Sequence, residues 1–283
     1  MKRFVALVMA GLLLLLGYML IEAMSDPVIR RFDYHPAGWP AHAAPMRLVL
    51  VTDPHVSWPD MTPKRLARIV ATVNSLRPDL VLLGGDYLIG HKLAKPYSPA
   101  QSIRPLADLK ARRGVIAVLG NHDHWTNLSG ARRSLRAAGI TLLDNDAVRV
   151  GPLAIGGVDD DYSGHANVAR TAAKMDKLGG IPILLSHSPD VFPVTPYRIK
   201  LVLAGHTHCG QIALPLFGPI VTSSRYGLRY ACGLMRSGDQ TLIVSAGIGT
   251  SQLPLRLAAH PDIWIIDIGA PQAAPAVQAP AAP

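Results

Sequence analysis

Five short polar segments, each closing an apolar run of strand length, constrain this chain more than any other feature. They are Asp53-Pro54-His55, Gly84-Gly85-Asp86, Gly120-Asn121-His122-Asp123, His187 and Gly205-His206-Thr207-His208. Buried strands read as near-continuous hydrophobic runs, and open α/β sheets gather their sites just beyond strand C-termini. Five such ends in order call for an architecture that carries distant parts of the chain to one edge.

The intervening segments fit that architecture. Residues 47–52, 80–83, 115–119, 181–185 and 200–203 read as strands. Thr62 ahead of Pro63 predicts an N-cap and a helix to about Ser75. Ser98-Pro99-Ala100-Gln101 has the form of a capping box and predicts a second helix to about Arg112. Residues 129–138 and 167–178 read as helices, with Gly139 stopping the first. Short strands are expected near 141–143, 148–150, 153–157, 241–245 and 263–268. Strands alternating with helices, then a β-rich end, predict an α/β fold: a four-layer αββα sandwich of two mixed β-sheets flanked by helices.

The two ends have a different character. Residues 4–21 carry no charge, and Lys2 and Arg3 precede them. At ~1.5 Å per residue that run reaches about 27 Å, enough for a bilayer core. It predicts an N-terminal transmembrane anchor over 1–24; a cleaved signal peptide ending near Ala23-Met24-Ser25 is the competing reading. Lys2 and Arg3 favour an N-terminus inside and an exported catalytic domain, while Arg30 and Arg31 weaken that bias. Residues 25–46, with Pro27, Pro36, Pro40 and Pro45, read as a linker; 47–269 as the catalytic domain; 270–283, nearly all Ala and Pro, as a disordered tail. The net charge of +9 comes from scattered basic residues with few aromatics among them, so no nucleic acid is expected. An Arg-rich surface, or attraction to anionic headgroups or a phosphorylated substrate, accounts for it. Cys209 and Cys232 are too few for a disulfide framework and leave the redox compartment open.

The polar ends form one chemical set. Asp53 and His55, and likewise His206 and His208, stand two apart, so each pair shares one side of an extended backbone. Asp86 follows two glycines that permit a tight turn, and its two oxygens can bridge two metals. Oxygen and imidazole donors without thiolates suit two divalent ions: manganese first, with iron, zinc or magnesium as alternatives. Two such ions side by side clamp a phosphate and activate water.

The ordered set Asp-x-His, Gly-Asp, Gly-Asn-His-Asp, His, Gly-His-x-His resembles the calcineurin-like metallophosphoesterase superfamily over residues 47–268. The later stretches Gly205-His206-Thr207-His208-Cys209-Gly210-Gln211, Val244-Ser245-Ala246-Gly247-Ile248-Gly249-Thr250 and Pro254-Leu255-Arg256 resemble its bacterial membrane-anchored or exported branch of YkuE- and YaeI-like phosphodiesterases. His260-Pro261-Asp262 departs from that branch's Arg-Pro-Glu and loses a fixed positive charge. The resemblance implies that Asp53, His55 and His208 hold one metal, Asn121, His187 and His206 the other, and that Asp86 bridges them. It implies that His122 faces the phosphate and assists the leaving group, with Asp123 orienting its ring. Arg225, Arg229 and Arg256 are candidate phosphate or headgroup contacts.

Other polar residues read as ordinary. His124 and Trp125 either line the cleft or pack, Asp159, Asp160 and Asp161 form a turn or stand behind the site, and Gly247-x-Gly249 is a tight turn. Cys209 points away from the metals, and His35, His42, His91 and His165 lack partners at ligand spacing. The resulting expectation is a metal-dependent phosphodiesterase or pyrophosphatase at the bacterial inner membrane. The membrane setting and the resemblance extend it to a lipid-linked substrate such as UDP-2,3-diacylglucosamine. A phosphomonoesterase and a catalytically inactive scaffold on the same fold are the alternatives.

Overall fold

A computed structural model of the chain describes residues 1–89, 94–214 and 216–270; His91 and the tail beyond Ala270 lie outside them. Two six-stranded mixed sheets form the centre. The first contains β1 (Val28–Tyr34), β2 (Met46–Val51), β3 (Leu80–Leu83), β4 (Val115–Ala117), β5 (Thr141–Leu142) and, from the far end of the chain, Asp262–Ile268. The second contains β6 (Asp146–Val150), β7 (Leu153–Gly157), β8 (Ile181–Leu185), β9 (Leu201–Ala204), β10 (Gly233–Ser237) and β11 (Gln240–Val244). With Asp262–Ile268 as β12, the orders are β1-β12-β2-β3-β4-β5 and β10-β11-β9-β8-β7-β6.

Alternation along each strand builds the layers, because successive side chains leave opposite faces. In β2, Leu48 and Leu50 face the second sheet and meet Ile183, Leu185, Leu201 and Leu203, while Val49 and Val51 face the helices. The outer layer over the first sheet includes α2 (Pro63–Ser75), whose Leu66, Ile69, Val70 and Val73 line the face toward the sheet. Thr62 caps it as expected, its hydroxyl accepting from the Arg65 amide at 3.2 Å. On the other side α5 (Val168–Leu178) lays Ala172 and Met175 on Ala154 and Leu184. The expected αββα sandwich is the observed one.

Three local expectations need correction. The second helix is only α3 (Pro99–Ile103); a 3₁₀ turn, Arg104–Asp108, replaces its continuation, because Pro105 has no N–H to donate. The helix expected from Ser129 is the second half of α4 (Asn121–Ala137), which breaks at Asn127 and restarts where the Asn127 side chain accepts from the Gly130 amide. Residues 25–46 are not simply a linker. They supply β1, which pairs in parallel with β12 along its whole length. Its Val-Ile-Arg-Arg-Phe-Asp-Tyr sequence is a half-exposed edge strand, so it lacks the apolar run that marks a central one.

The apolar N-terminal segment forms one helix, α1 (Lys2–Ala23), exposed along most of its length. Its last turns dock on the catalytic part. The Met19 carbonyl accepts from the Arg256 amide at 3.0 Å, Glu22 is buried beside His260 at 3.3 Å, and the Ser25 carbonyl accepts from Arg65 at 2.8 Å.

Candidate metal centre

The five polar segments converge where β2, β3, β4, β8 and β9 end. Asp53, His55, Asp86, His206 and His208 all take positive φ, between 43° and 71°, a region that costs a non-glycine residue about 1–3 kcal/mol. The chain turns sharply at each strand tip so that side chains point into one space. Two glycines make the approach possible. A Cβ on Gly120 would collide with the Asp86 carboxylate, and one on Gly205 with the Asp53 carboxylate.

Within that space three overlapping donor groups lie side by side. Asp53, His55 and His208 present ligand atoms within 4.8 Å of one another, as do Asp86, His187 and His206, and as do His55, Asp86 and His122 at the rim. The His55 and His208 Nε2 atoms face each other at 3.1 Å. His187 Nε2 lies 3.1 Å from His206 Nδ1 and 3.0 Å from Asn121 Oδ1. One Asp86 oxygen is 3.3 Å from a ring nitrogen of His55 and 3.3 Å from one of His187, so it stands between the groups. All seven expected ligands are thus together and buried.

The hydrogen bonds around the rings test whether cations fit. His187 Nδ1 donates to the Gly84 carbonyl at 2.8 Å, and His55 Nδ1 to the Leu88 carbonyl at 3.2 Å. Those bonds leave each Nε2 with its lone pair, and that of His187 faces Asn121 Oδ1 and an Asp86 oxygen, acceptors between which only a cation or a proton fits. Burial drives His55 and His206 down to about 3, so both rings are neutral donors. Burial lifts Asp86, but His187 and His55 outweigh it and hold the carboxylate well below its usual range. Burial would also lower His187, yet Asp86 and Asp53 raise it well above the ordinary value, so the anionic groups around this ring favour positive charge there. Oxygen and imidazole donors in this disposition fit a binuclear divalent centre.

The remaining expected site residues fall out differently. His122 is half-buried at the rim, edge-on to His55 at 4.8 Å between ring centres and to Trp125 at 5.3 Å. Asp123 does not orient it. The Asp123 carboxylate is fully buried and accepts from the amides of Asp86 (2.9 Å), Tyr87 (3.0 Å), Leu88 (3.2 Å) and Gly120 (3.0 Å). It clamps the loop that carries Asp86. Arg256 cannot reach a substrate either. It is fully buried, and its guanidinium donates to the carbonyls of Ala246, Gly249 and Ala259 at 2.6–2.7 Å, bracing the turn whose Gly247 abuts Asp53. Burial lowers it only to about 10, so it stays charged at neutral pH. Arg225 is engaged by Asp161 and Asp190, and Arg229 lies over the Tyr230 ring.

Tyr162, Ser223, Ser251 and Gln252 carried no sequence signal. Tyr162 places its ring 4.6 Å from His206 and, with Trp125, Ser223, Ser251 and Gln252, lines the narrow cleft above the cluster. His124 is buried against Asp159 at 2.8 Å and stacks on His165, so both belong to packing behind the site. Cys209, expected to point away from the metals, forms a disulfide with Cys232 directly after His208.

Two mixed sheets that converge seven oxygen and imidazole donors at their strand ends define a metal-dependent phosphoric ester hydrolase. The calcineurin-like phosphoesterase family profile matches residues 46–210, and the chain belongs to that family. It is 33% identical over 236 residues to the metallophosphoesterase YkuE of Bacillus subtilis (strain 168), covering 78% of each chain. It is 30% identical over 276 residues to a transmembrane protein with metallophosphoesterase domain from Danio rerio, covering 91% of this chain and 60% of that one. The phosphodiesterase YaeI of Escherichia coli (strain K12) is 29% identical over 245 residues, covering 80% of this chain and 83% of its own.

Proposed function

We propose that the chain hydrolyses a phosphodiester or pyrophosphate bond at a membrane surface, with two divalent ions, manganese first among them. Asp53, His55 and His208 hold one ion, Asn121, His187 and His206 the other, and Asp86 is shared. The observation that carries this reading is the single Asp86 oxygen equidistant from both histidine groups. When bound, the ions neutralise the phosphate oxygens and activate water. The protein's own contribution lies at the rim. His122 faces the space above the cluster and delivers a proton to the departing oxygen. Trp125 and Tyr162 narrow the entrance and restrict water around the phosphate. Asp123 and Arg256 keep the ligand loops in register from behind.

The catalytic part comprises residues 47–269 together with β1, and α1 crosses the bacterial inner membrane once. The Cys209–Cys232 disulfide fits the oxidising, exported face, as does the charge ahead of α1. A lipid-linked phosphodiester or pyrophosphate is within reach of an anchored enzyme there. A cytoplasmic nucleotide-lipid such as UDP-2,3-diacylglucosamine is met only with the opposite topology. The test is a panel of bis-p-nitrophenyl phosphate, p-nitrophenyl phosphate and UDP-2,3-diacylglucosamine, each with manganese, magnesium and zinc. Diester or pyrophosphate turnover with little monoester turnover is expected. Cleavage of the monoester alone would overturn the reading in favour of a phosphomonoesterase.

A further inference from the structure

Among the described residues after α1, the three most exposed large apolar side chains, Leu216, Phe217 and Val221, lie in or beside one hairpin. It pairs Ala213–Leu214 with Gly218–Pro219. Leu216 is 103% exposed, Phe217 83%, Val221 69% and Ile220 59%. Residues 211–221 contain no charged side chain. An uncharged hairpin tipped with Leu and Phe is costly to leave in water, and its position says what covers it. The Leu257 amide donates to the Gln211 carbonyl at 3.0 Å, and the Ala213 amide donates to the Leu257 carbonyl at 2.8 Å, so the hairpin is stitched to residue 257. The preceding residue, Arg256, is the one whose amide binds Met19 near the end of α1. The hairpin therefore stands beside the point where the apolar helix meets the catalytic part.

A cavity of about 370 Å³ lies beneath the hairpin, walled by Ile212, Ile220, Val221 and Leu253 and floored by Thr207 and His208. It shares His208, Ser223, Ser251 and Gln252 with the smaller cleft over the metal ligands. The two cavities thus adjoin, the one with mostly apolar walls next to the one that holds the imidazoles.

We propose that Leu216, Phe217, Ile220 and Val221 of this hairpin dip into the bilayer beside α1 as a second membrane contact, and that the adjoining cavity guides the apolar chain of a bilayer-embedded phosphodiester while its phosphate reaches the metals. This rests on the proposed reading of the chain as an anchored phosphodiesterase. It adds a docking surface, an orientation of the cleft toward the lipid, and a preference for amphiphilic substrates.

The test uses the full-length chain in phosphatidylcholine vesicles with or without brominated acyl chains. The additional emission of a Phe217→Trp variant over the parent protein should be quenched by the brominated lipid. Additional emission that ignores the bromine would place the hairpin in water or against another protein, and would overturn the proposal. A Leu216→Ser/Phe217→Ser double variant should lose roughly tenfold or more in kcat/KM on hexadecyl p-nitrophenyl phosphate in vesicles, as expected for lost interfacial apolar contact. Its rate on soluble bis-p-nitrophenyl phosphate should stay within about twofold, since neither side chain touches the metal ligands. An equal loss on both substrates, or on neither, would overturn the substrate route. If the parent protein cleaves neither diester, the phosphodiesterase reading fails while quenching still decides the membrane contact. If the chain does not float with the vesicles, the anchor fails and this surface with it.

Discussion

Replacing Asp123 by Asn separates a positioning carboxylate from one that works through His122. One Asp123 oxygen accepts the amides of Tyr87 and Leu88, the other those of Asp86 and Gly120, and no water reaches them. An Asn side chain keeps one accepting oxygen and turns an NH₂ group toward two N–H donors. Two buried amides lose their acceptor, at about 1–3 kcal/mol each, or roughly 2–6 kcal/mol together. For a domain of this size each kcal/mol lowers Tm by about 2–4 °C, so a fall of roughly 5–20 °C is expected. Because the clamp holds Asp86, the variant should also bind its second metal more weakly, seen as lower occupancy after dialysis against limiting manganese. Calorimetry and metal analysis on the same preparation read both effects. A variant that melts like the parent, keeps both metals and loses only turnover would refute the clamp and restore Asp123 as the group that orients His122.

Four further outcomes follow from the same geometry. His122→Ala should keep both metals while turnover falls roughly 10²-fold, more steeply for a poor leaving group than for an aryl one; loss of a metal in this variant would make His122 a ligand. Asp86→Ala, stripped of the shared oxygen, should bind fewer than two equivalents of manganese after full reconstitution, and an unchanged stoichiometry would remove its bridging role. Alkaline carbonate should leave the full-length chain in the membrane pellet if α1 is an anchor, and release it if α1 is not. Burial disfavours the His124 cation, but Asp159 outweighs it and raises the ring above its ordinary value, while the same pair lowers Asp159. Stability from this pair is therefore full below the unfolded histidine value of about 6.5 and above the unfolded carboxylate value of about 3.9. It is lost as pH rises through the raised value of His124, or falls through the lowered value of Asp159. The parent's Tm should accordingly decline above neutral pH more steeply than that of His124→Asn.

What the sequence made legible was whatever local chemistry repeats wherever it occurs. Thr62-Pro63 announced α2, apolar runs announced the central strands, and seven metal-binding side chains at strand tips announced the site. β1 escaped because an edge strand exposes one face and mixes Arg30, Arg31 and Asp33 with Ile29 and Phe32. Its place is set by a partner more than two hundred residues away, where Arg30 binds Asp262 at 2.8 Å. The same distance hid the roles of Asp123 and Arg256. Both are charged residues beside motif residues, which suggests contact with substrate. Only the fold shows that their partners are backbone amides and carbonyls and, for Arg256, also the His208 ring at 3.4 Å.

Those two buried groups explain how the strained loops of the proposed ligands persist. Five ligands hold positive φ, and at about 1–3 kcal/mol each the backbone would relax if each tip were free. None is free. Asp123 fixes the amides of the Asp86 turn. Arg256 fixes the carbonyls of the turn that presses Gly247 on Asp53, and Asp53 in turn accepts the His206 amide at 3.0 Å. The disulfide pins Cys209, next to His208, to Cys232, at the entry to β10. A carboxylate, a guanidinium and a covalent link thus lock three of the tips from behind. The two carboxylates in front add to this hold, Asp53 accepting the His206 amide and Asp86 the His122 amide at 2.8 Å, so the proposed ligands are fixed partly from behind and partly by one another.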